Sequence, residues 1–200
     1  MFDWISGFVQ SSGYLGVALM MFAENVFPPI PSELIMPLAG FAVRNGEMSA
    51  VLAVLAGSAG SLAGAFLWYL LARRLGLAPL KRAAGRHGRW LTLTPQDIDD
   101  ADRWFDRHGA KAVLFGRLVP AVRTLISVPA GLSGMPTAAF LIYSSIGTIV
   151  WTAFLTAAGY FLGSQYQSVQ TYLNPVSNIL IGVIVVWYLY RVVTWRPSSA

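Results

Sequence analysis

The chain has no cysteine, little charge and almost no histidine. Without a thiol there can be no disulfide, no thiolate nucleophile and no thiolate metal site. Only 12% of the 200 residues are charged, whereas a soluble domain is nearer one quarter. The two histidines, His87 and His108, have no second ligand at metal spacing. Both read as surface residues, so neither a metal nor another cofactor is expected. No Ser-His-Asp set and no Gly-x-Ser-x-Gly elbow is present. A basic face interleaved with aromatics is also missing, which argues against nucleic acid as a partner. The N-terminus lacks a positive region before its first apolar run, and no cleaved leader is expected.

What is abundant is apolar sequence, at 56% of residues. This composition describes an integral membrane protein, and the length suits a single membrane domain over 1–200. Residues 50–72 carry no charge and are long enough to span. They include Gly60-x-x-x-Gly64, a spacing that lets another backbone approach closely. Residues 135–163 form a second uncharged span. After the polar stretch 165–174 and Pro175, a C-terminal transmembrane helix is expected over 176–193. It closes with Trp187, Tyr188, Tyr190 and Arg191, an interfacial mixture.

The net charge is +5, but its distribution matters more than its sign. Nine of the 14 Lys and Arg residues lie between Arg73 and Lys111. The positive-inside rule makes the basic loop 73–111 and the C-terminus cytoplasmic. Within the loop, Thr94-Pro95-Gln96-Asp97 is a helix start, with a cap residue, proline at the first helical position and an acid at the third. Arg107, His108 and Gly109 form a stop. The result is an amphipathic helix over 95–108 on the inner membrane surface, with Ile98, Ala101, Trp104 and Phe105 on one stripe.

Two stretches break the apolar pattern. The first runs over 24–33 and reads Glu-Asn-Val-Phe-Pro-Pro-Ile-Pro-Ser-Glu. Pro28, Pro29 and Pro31 remove backbone donors and clash with the preceding turn, so no continuous helix passes through. Apolar runs over 13–23 and 34–43 flank it, each about 16 Å long or slightly less at 1.5 Å per residue, half the hydrocarbon thickness. Two half-spans joined by a proline break make a re-entrant hairpin, whose irregular backbone must face protein or a wet cavity. The second stretch, 116–123, reads Gly-Arg-Leu-Val-Pro-Ala-Val-Arg around Pro120, again between short apolar runs. Residues 3–11 before the first hairpin fit either a short interfacial helix or a frayed start to the first span.

Residues 3–76 and 99–163 repeat the same order of parts. Each half has an amphipathic stretch, a glycine (Gly13, Gly109), a half-span, a charged proline break and a second half-span. Ala-Gly, a turn with Met48 or Met135, and a full span follow. One crossing separates the halves, so the second hairpin enters from the opposite face, as in many transporters whose sites lie near the midplane. The expected fold is therefore an all-α integral membrane protein. It is an inverted repeat of two opposed re-entrant helical hairpins plus transmembrane helices, with a short amphipathic helix before each hairpin. The first hairpin enters from outside and the second from the cytoplasm.

Charge within the apolar regions is concentrated at Glu24, Glu33, Arg117 and Arg123. Each costs about 2.5–3.5 kcal/mol at the bilayer centre on insertion scales if unpaired. One reading is a structural ion-pair network that locks the hairpins together. The other is a phosphate site beside proton-binding acids. Arginine matches phosphate with its planar fork of donors. Ser32 and Thr124 are placed to start new half-helices, whose N-termini favour anions. A carboxylate out of water can take up and release a proton. The client suggested is a phosphate-bearing lipid, its tail in the bilayer and its head in the cavity. Asn25 could bond to a head group or satisfy freed backbone. No serine or histidine stands in an obvious nucleophile position beside Arg117 or Arg123, which argues against a phosphatase.

The two motifs 24–33 and 115–124 (Phe-Gly-Arg-Leu-Val-Pro-Ala-Val-Arg-Thr), with Pro-Ala-Gly-Leu-Ser-Gly over 129–134, resemble the bacterial DedA family, the VTT-domain group. The resemblance covers nearly the whole chain. It implies two opposed re-entrant hairpins and lipid flipping or scrambling at the bacterial inner membrane. The substrate it implies is undecaprenyl phosphate, or phosphatidylethanolamine or another phospholipid. Glu24 and Glu33 match the family's embedded acids, and Arg117 and Arg123 its arginines. The first motif is more similar to the undecaprenyl phosphate members. The expected partners are thus an anionic lipid, the membrane and protons. A membrane polyprenyl pyrophosphate phosphatase and a structural protein supporting membrane assembly or pH homeostasis are the alternatives.

Overall fold

The computed structural model describes residues 2–26, 32–91, 94–120, 122–163 and 190. All regular structure among them is helical: α1 (Phe2–Val26), α2 (Ser32–Arg44), α3 (Ala50–Leu75), α4 (Leu77–Leu91), α5 (Pro95–Gly116), α6 (Ser127–Leu132) and α7 (Thr137–Leu162). The three prolines of the first motif, Pro28, Pro29 and Pro31, and all but Tyr190 of the helix expected over 176–193 lie outside the described residues.

Among the described residues, α3 and α7 are the two apolar helices long enough to cross a bilayer, with 26 residues each. At 1.5 Å per residue each reaches about 39 Å, beyond the roughly 30 Å of hydrocarbon. Their faces are the reverse of a soluble helix. Val51, Leu52, Leu55 and Leu71 of α3 and Ile142, Ile146, Val150 and Phe154 of α7 point outward. The buried faces instead hold Gly57, Ser58, Gly60, Ser61 and Gly64 on α3, and Ser144, Gly147, Thr148, Thr152 and Gly159 on α7. Lipid solvates the large apolar side chains, while small and hydroxyl residues let helices approach and bond. Ser58 and Thr152 join the two spans through a 2.8 Å hydrogen bond.

The other helices pack on this pair in a crossed pattern. Helix α1 lies on α3 and α2 on α7, while α5 lies on α7 and α6 on α3. The contacts are backbone-close. A Cβ built on Gly60 would lie 1.9 Å from the carbonyl oxygen of Ala18 in α1, and one on Gly147 would lie 2.9 Å from that of Leu114 in α5. Similarly, Gly40 of α2 faces the backbone of Thr156, and Gly131 of α6 faces that of Tyr69.

The boundary expected at Gly13 is present: α1 is two helical stretches that meet there across a kink, with φ 56° and ψ −133°. This left-handed backbone favours glycine. Gly109 was expected to stop the helix over 95–108, yet α5 continues to Gly116. Its buried stripe, Ile98, Phe105, Gly109, Val113 and Gly116, carries the helix past the glycine, because tertiary packing outweighs the roughly 1 kcal/mol propensity cost. The amphipathic helix is therefore continuous with the first arm of the second half. The start of α5 is as expected: the Thr94 hydroxyl accepts from Asp97 N, and the Asp97 carboxylate accepts from Thr94 N.

Thr124 does not start a helix. Residues 119–120 and 122–126 lie in successive turns, with Val122 N and Arg123 N both donating to Val119 O and Ile126 N to Val122 O. The chain is already helical at Ile126 (φ −61°, ψ −21°) and enters α6 at Ser127 with no side-chain cap. An extended cap residue has no place in such a path. Helix α4, within the basic loop, was not anticipated. Gly76, with φ 70°, separates it from α3.

Candidate functional site

Four of the five charged or amide side chains singled out in the two motifs are buried: Glu24, Asn25, Arg117 and Arg123 are each at most 4% exposed. Glu33 is half-buried, one residue into α2.

Glu24 and Asn25 stand near the end of α1 and are fastened to α3. Asn25 Nδ2 donates to Ser61 Oγ at 2.7 Å and to Glu24 Oε2 at 3.2 Å. Trp68 Nε1 donates to the Asn25 carbonyl at 3.1 Å, satisfying one acceptor that a helix end leaves without an intrahelical partner. Gly64 makes room for the Asn25 side chain. The Asn25 side chain thus bonds Glu24 and Ser61 rather than freed backbone, and its Oδ1 is buried without a partner.

Arg123 Nη2 donates to Glu24 Oε1 in a buried salt bridge. This pair joins the first motif to the second, residues far apart in the chain. Glu24 also lies within electrostatic reach of Glu33 and Arg117. The four charges therefore form one cluster of two anions and two cations. Breaking a buried pair by removing one partner costs about 3–5 kcal/mol, because the other charge is left uncompensated.

Arg117 is held differently. It caps the C-terminus of α5, where a cation complements the helix dipole. Its Nη2 donates to Ser127 Oγ at 2.8 Å, and the guanidinium carbon lies 5.9 Å from the Phe140 ring centroid. Its Nε–H has no hydrogen-bond partner. Among the described residues Arg117 forms no salt bridge. It is a fully buried cation with a neutral partner and a free donor.

The remaining candidates are divided. Ser32 is fully buried and its hydroxyl has no partner. Thr124 is half-buried within the coil of turns, and Pro120 lies exposed in the same segment. The sequence reading missed Ser61, Ser127, Ser144 and Thr148. Ser127 stands beside Arg117, where the sequence showed no serine in an obvious nucleophile position. The Ser144 and Thr148 hydroxyls are buried without partners on the face of α7 that also meets Arg117 through Gly147. The usable signal was the helical spacing of hydroxyls within an otherwise apolar span: Ser144, Thr148, Thr152 and Thr156 recur every fourth residue. Such unsatisfied buried groups cost about 1–3 kcal/mol each when nothing compensates them. Among the described residues no group of His, Cys, Asp and Glu could hold a metal ion.

The VTT domain model matches residues 30–161. An alkaline phosphatase-like protein of Lactococcus lactis subsp. cremoris is 36% identical over 178 residues, covering 88% of this chain and 83% of that one. Undecaprenyl phosphate transporter A of Staphylococcus aureus is 31% identical over 186 residues, covering 93% and 92%. The transporter of the same name in Bacillus subtilis is 29% identical over 188 residues, covering 92% and 90%. No solved structure matches the chain. With apolar spans, a buried Glu–Arg pair linking two motifs, and a domain match over most of its length, the chain is a membrane protein of the VTT-domain (DedA) family.

Proposed function

We propose that the protein moves a phosphate-bearing lipid carrier, undecaprenyl phosphate, across the bacterial inner membrane, coupled to protons. The observation that carries this reading is Arg117: a buried guanidinium with a neutral partner, a free Nε–H and no salt bridge among the described residues. A phosphate oxygen would complete its fork of donors with charge-assisted bonds. Arg123 reaches the same head group if Glu24 releases it. Protonation of Glu24 would do so, trading the salt bridge for a lipid phosphate, and Glu33 sits close enough to share the proton balance. Ser32 and Thr124 are the hydroxyls nearest in sequence to these charges and complete the proposed head-group shell. Two relatives named for undecaprenyl phosphate transport, matching over nine-tenths of this chain, support the choice of lipid.

Two re-entrant hairpins, α1–α2 and the end of α5 with α6, are the proposed architecture of the path. The main helix pairings correspond when α1, α2 and α3 are exchanged with α5, α6 and α7: α1 on α3 matches α5 on α7, and α2 on α7 matches α6 on α3. The shift that takes Ala53 to Phe140 also takes Gly57 to Ser144, Gly60 to Gly147, Ser61 to Thr148, Ala65 to Thr152 and Tyr69 to Thr156. All of these are buried. Both facts support an inverted repeat with the charge cluster at its centre. The basic loop 73–111 then faces the cytoplasm.

The test is translocation of fluorescent undecaprenyl phosphate in liposomes holding the purified chain. Glu24→Gln, Glu33→Gln, Arg117→Ala and Arg123→Ala should each impair it. Full activity in all four would overturn the site. Ser127 favours a second reading, since a serine hydroxyl bonded to an arginine is also a phosphatase arrangement and a relative bears the name alkaline phosphatase-like protein. Among the described residues no histidine stands beside Ser127. Release of phosphate from undecaprenyl pyrophosphate by the purified chain, lost in Ser127→Ala, would establish that reading instead.

A further inference from the structure

A cavity of about 520 Å³ opens beside α5, and none of Glu24, Glu33, Arg117 and Arg123 lines it. One wall is α5, with Arg107, His108 and Lys111, and the other is the turn from α6 into α7 around Ser133 and Met135. Arg107 and Lys111 stand one helical turn apart and are exposed. Among the described residues neither forms an ion pair or hydrogen bond. This sets them apart from Lys81 and Arg103 in the same basic segment, which are paired with Asp99 and Asp100. Asp106 is also on the wall, so the lining is basic but not uniformly so. His108 is held by its Trp104 neighbour, with Nδ1 3.1 Å from the Trp104 carbonyl and the rings stacked.

The cavity has a counterpart that is filled. Tyr14 follows Gly13 as Ala110 follows Gly109. The Tyr14 hydroxyl accepts a 2.7 Å hydrogen bond from Ser49 N, at the residue that caps α3. At the matching place beside α7 the α5 wall has only Ala110. The cap residue there, Pro136, has no N–H to offer, and α7 begins without a side-chain cap. The space is thus a difference between the halves, created where a tyrosine is replaced by a methyl group and rimmed by unpaired cations.

Its depth defines the ligand. Lys111 is the last charge on α5 before the apolar residues 112–115, and Phe105 and Ala139 give the cavity an apolar side. The lining passes from guanidinium and ammonium groups to hydrocarbon within one cavity. That gradient suits an amphiphile with an anionic head, held by a bidentate or forked arginine contact and a lysine.

We propose that this cavity is a surface site for the head group of a phosphate-monoester lipid, separate from the buried cluster. Its cations hold the phosphate, and its apolar side receives the start of the tail. The site does not require the cluster to transport anything.

The experiment uses the full chain in phosphatidylcholine nanodiscs with a photoactivatable phosphatidic acid, mapping labelled peptides by mass spectrometry after pepsin digestion. Labelling is expected within 105–111 and 133–139. It should fall about tenfold or more in Arg107→Gln/Lys111→Gln, as loss of charge-assisted bonds at about 1.5 kcal/mol or more implies. Ala110→Tyr, which refills the cavity as Tyr14 does, should have the same effect. The double variant alters only exposed side chains, so the test stands even if Ala110→Tyr does not fold. Equal labelling by a phosphatidylcholine analogue, or undiminished labelling in the double variant, would overturn the proposal. Complete displacement by inorganic phosphate would overturn the lipid assignment in favour of the free ion.

Discussion

The Glu24–Arg123 pair permits a test in which structure and function separate. Arg123→Gln removes the cation and leaves Glu24 buried, with only Asn25 Nδ2 donating to it at 3.2 Å. An uncompensated buried charge of this kind costs about 3–5 kcal/mol. For a chain of this length, 1 kcal/mol moves the melting temperature by about 2–4 °C. Arg123→Gln should therefore melt roughly 6–20 °C lower than the parent in detergent micelles. Glu24→Gln should also lower it, since Arg123 then loses its anion. The double variant Glu24→Gln/Arg123→Gln puts two amides at bonding distance and removes both charges. It should recover most of the loss, with a coupling of about 2 kcal/mol or more between the sites. Differential scanning fluorimetry on the four proteins closes the cycle. Additive losses, with no recovery in the double variant, would refute a direct buried pair. Transport should be lost in all three variants, including the double variant that melts normally. A double variant that both melts and transports like the parent would show that the pair is only a fastener.

Other outcomes follow from the same geometry. Arg117→Gln keeps a donor for Ser127 but removes the charge, so transport should fall about 10- to 150-fold, the cost of a charge-assisted bond of 1.5–3 kcal/mol. Its melting temperature should move much less than that of Arg123→Gln, because no carboxylate partner is left behind. Gly60→Ala places a methyl group against the Ala18 carbonyl and should cost about 1–3 kcal/mol or more through overpacking. Gly85→Ala meets no atom within 4 Å and should be neutral or stabilising by up to about 1 kcal/mol; thermal melts of the two variants make the comparison. Thr94→Ala removes the α5 capping box and should cost about 1 kcal/mol, visible as faster hydrogen exchange in the first turn of α5. Cysteines placed at Asn45 and Ser133 should be labelled from opposite faces of the membrane by an impermeant maleimide, from outside and from the cytoplasm respectively. Labelling from one face alone would sink the inverted arrangement.

The amino-acid sequence by itself determined the membrane class, the two long spans, the start of α5 and the identity of the charged residues. These are local or compositional properties. Uncharged runs, a Thr-Pro-x-Asp start and carboxylates among prolines need no neighbour to be read. The tertiary structure decided which charge meets which. Four charges of two signs allow several pairings, and only the fold unites Glu24 with Arg123 and leaves Arg117 against Ser127. It also decided where local signals yield. Gly109 stays helical because a buried stripe outweighs its propensity, and Thr124 is bypassed because the turns before Ser127 already satisfy the backbone. The hydroxyls of Ser61, Ser144 and Thr148 gain their meaning only from burial. In the sequence they are small polar residues in an apolar run, and in the fold they line the helix faces that meet the buried cluster.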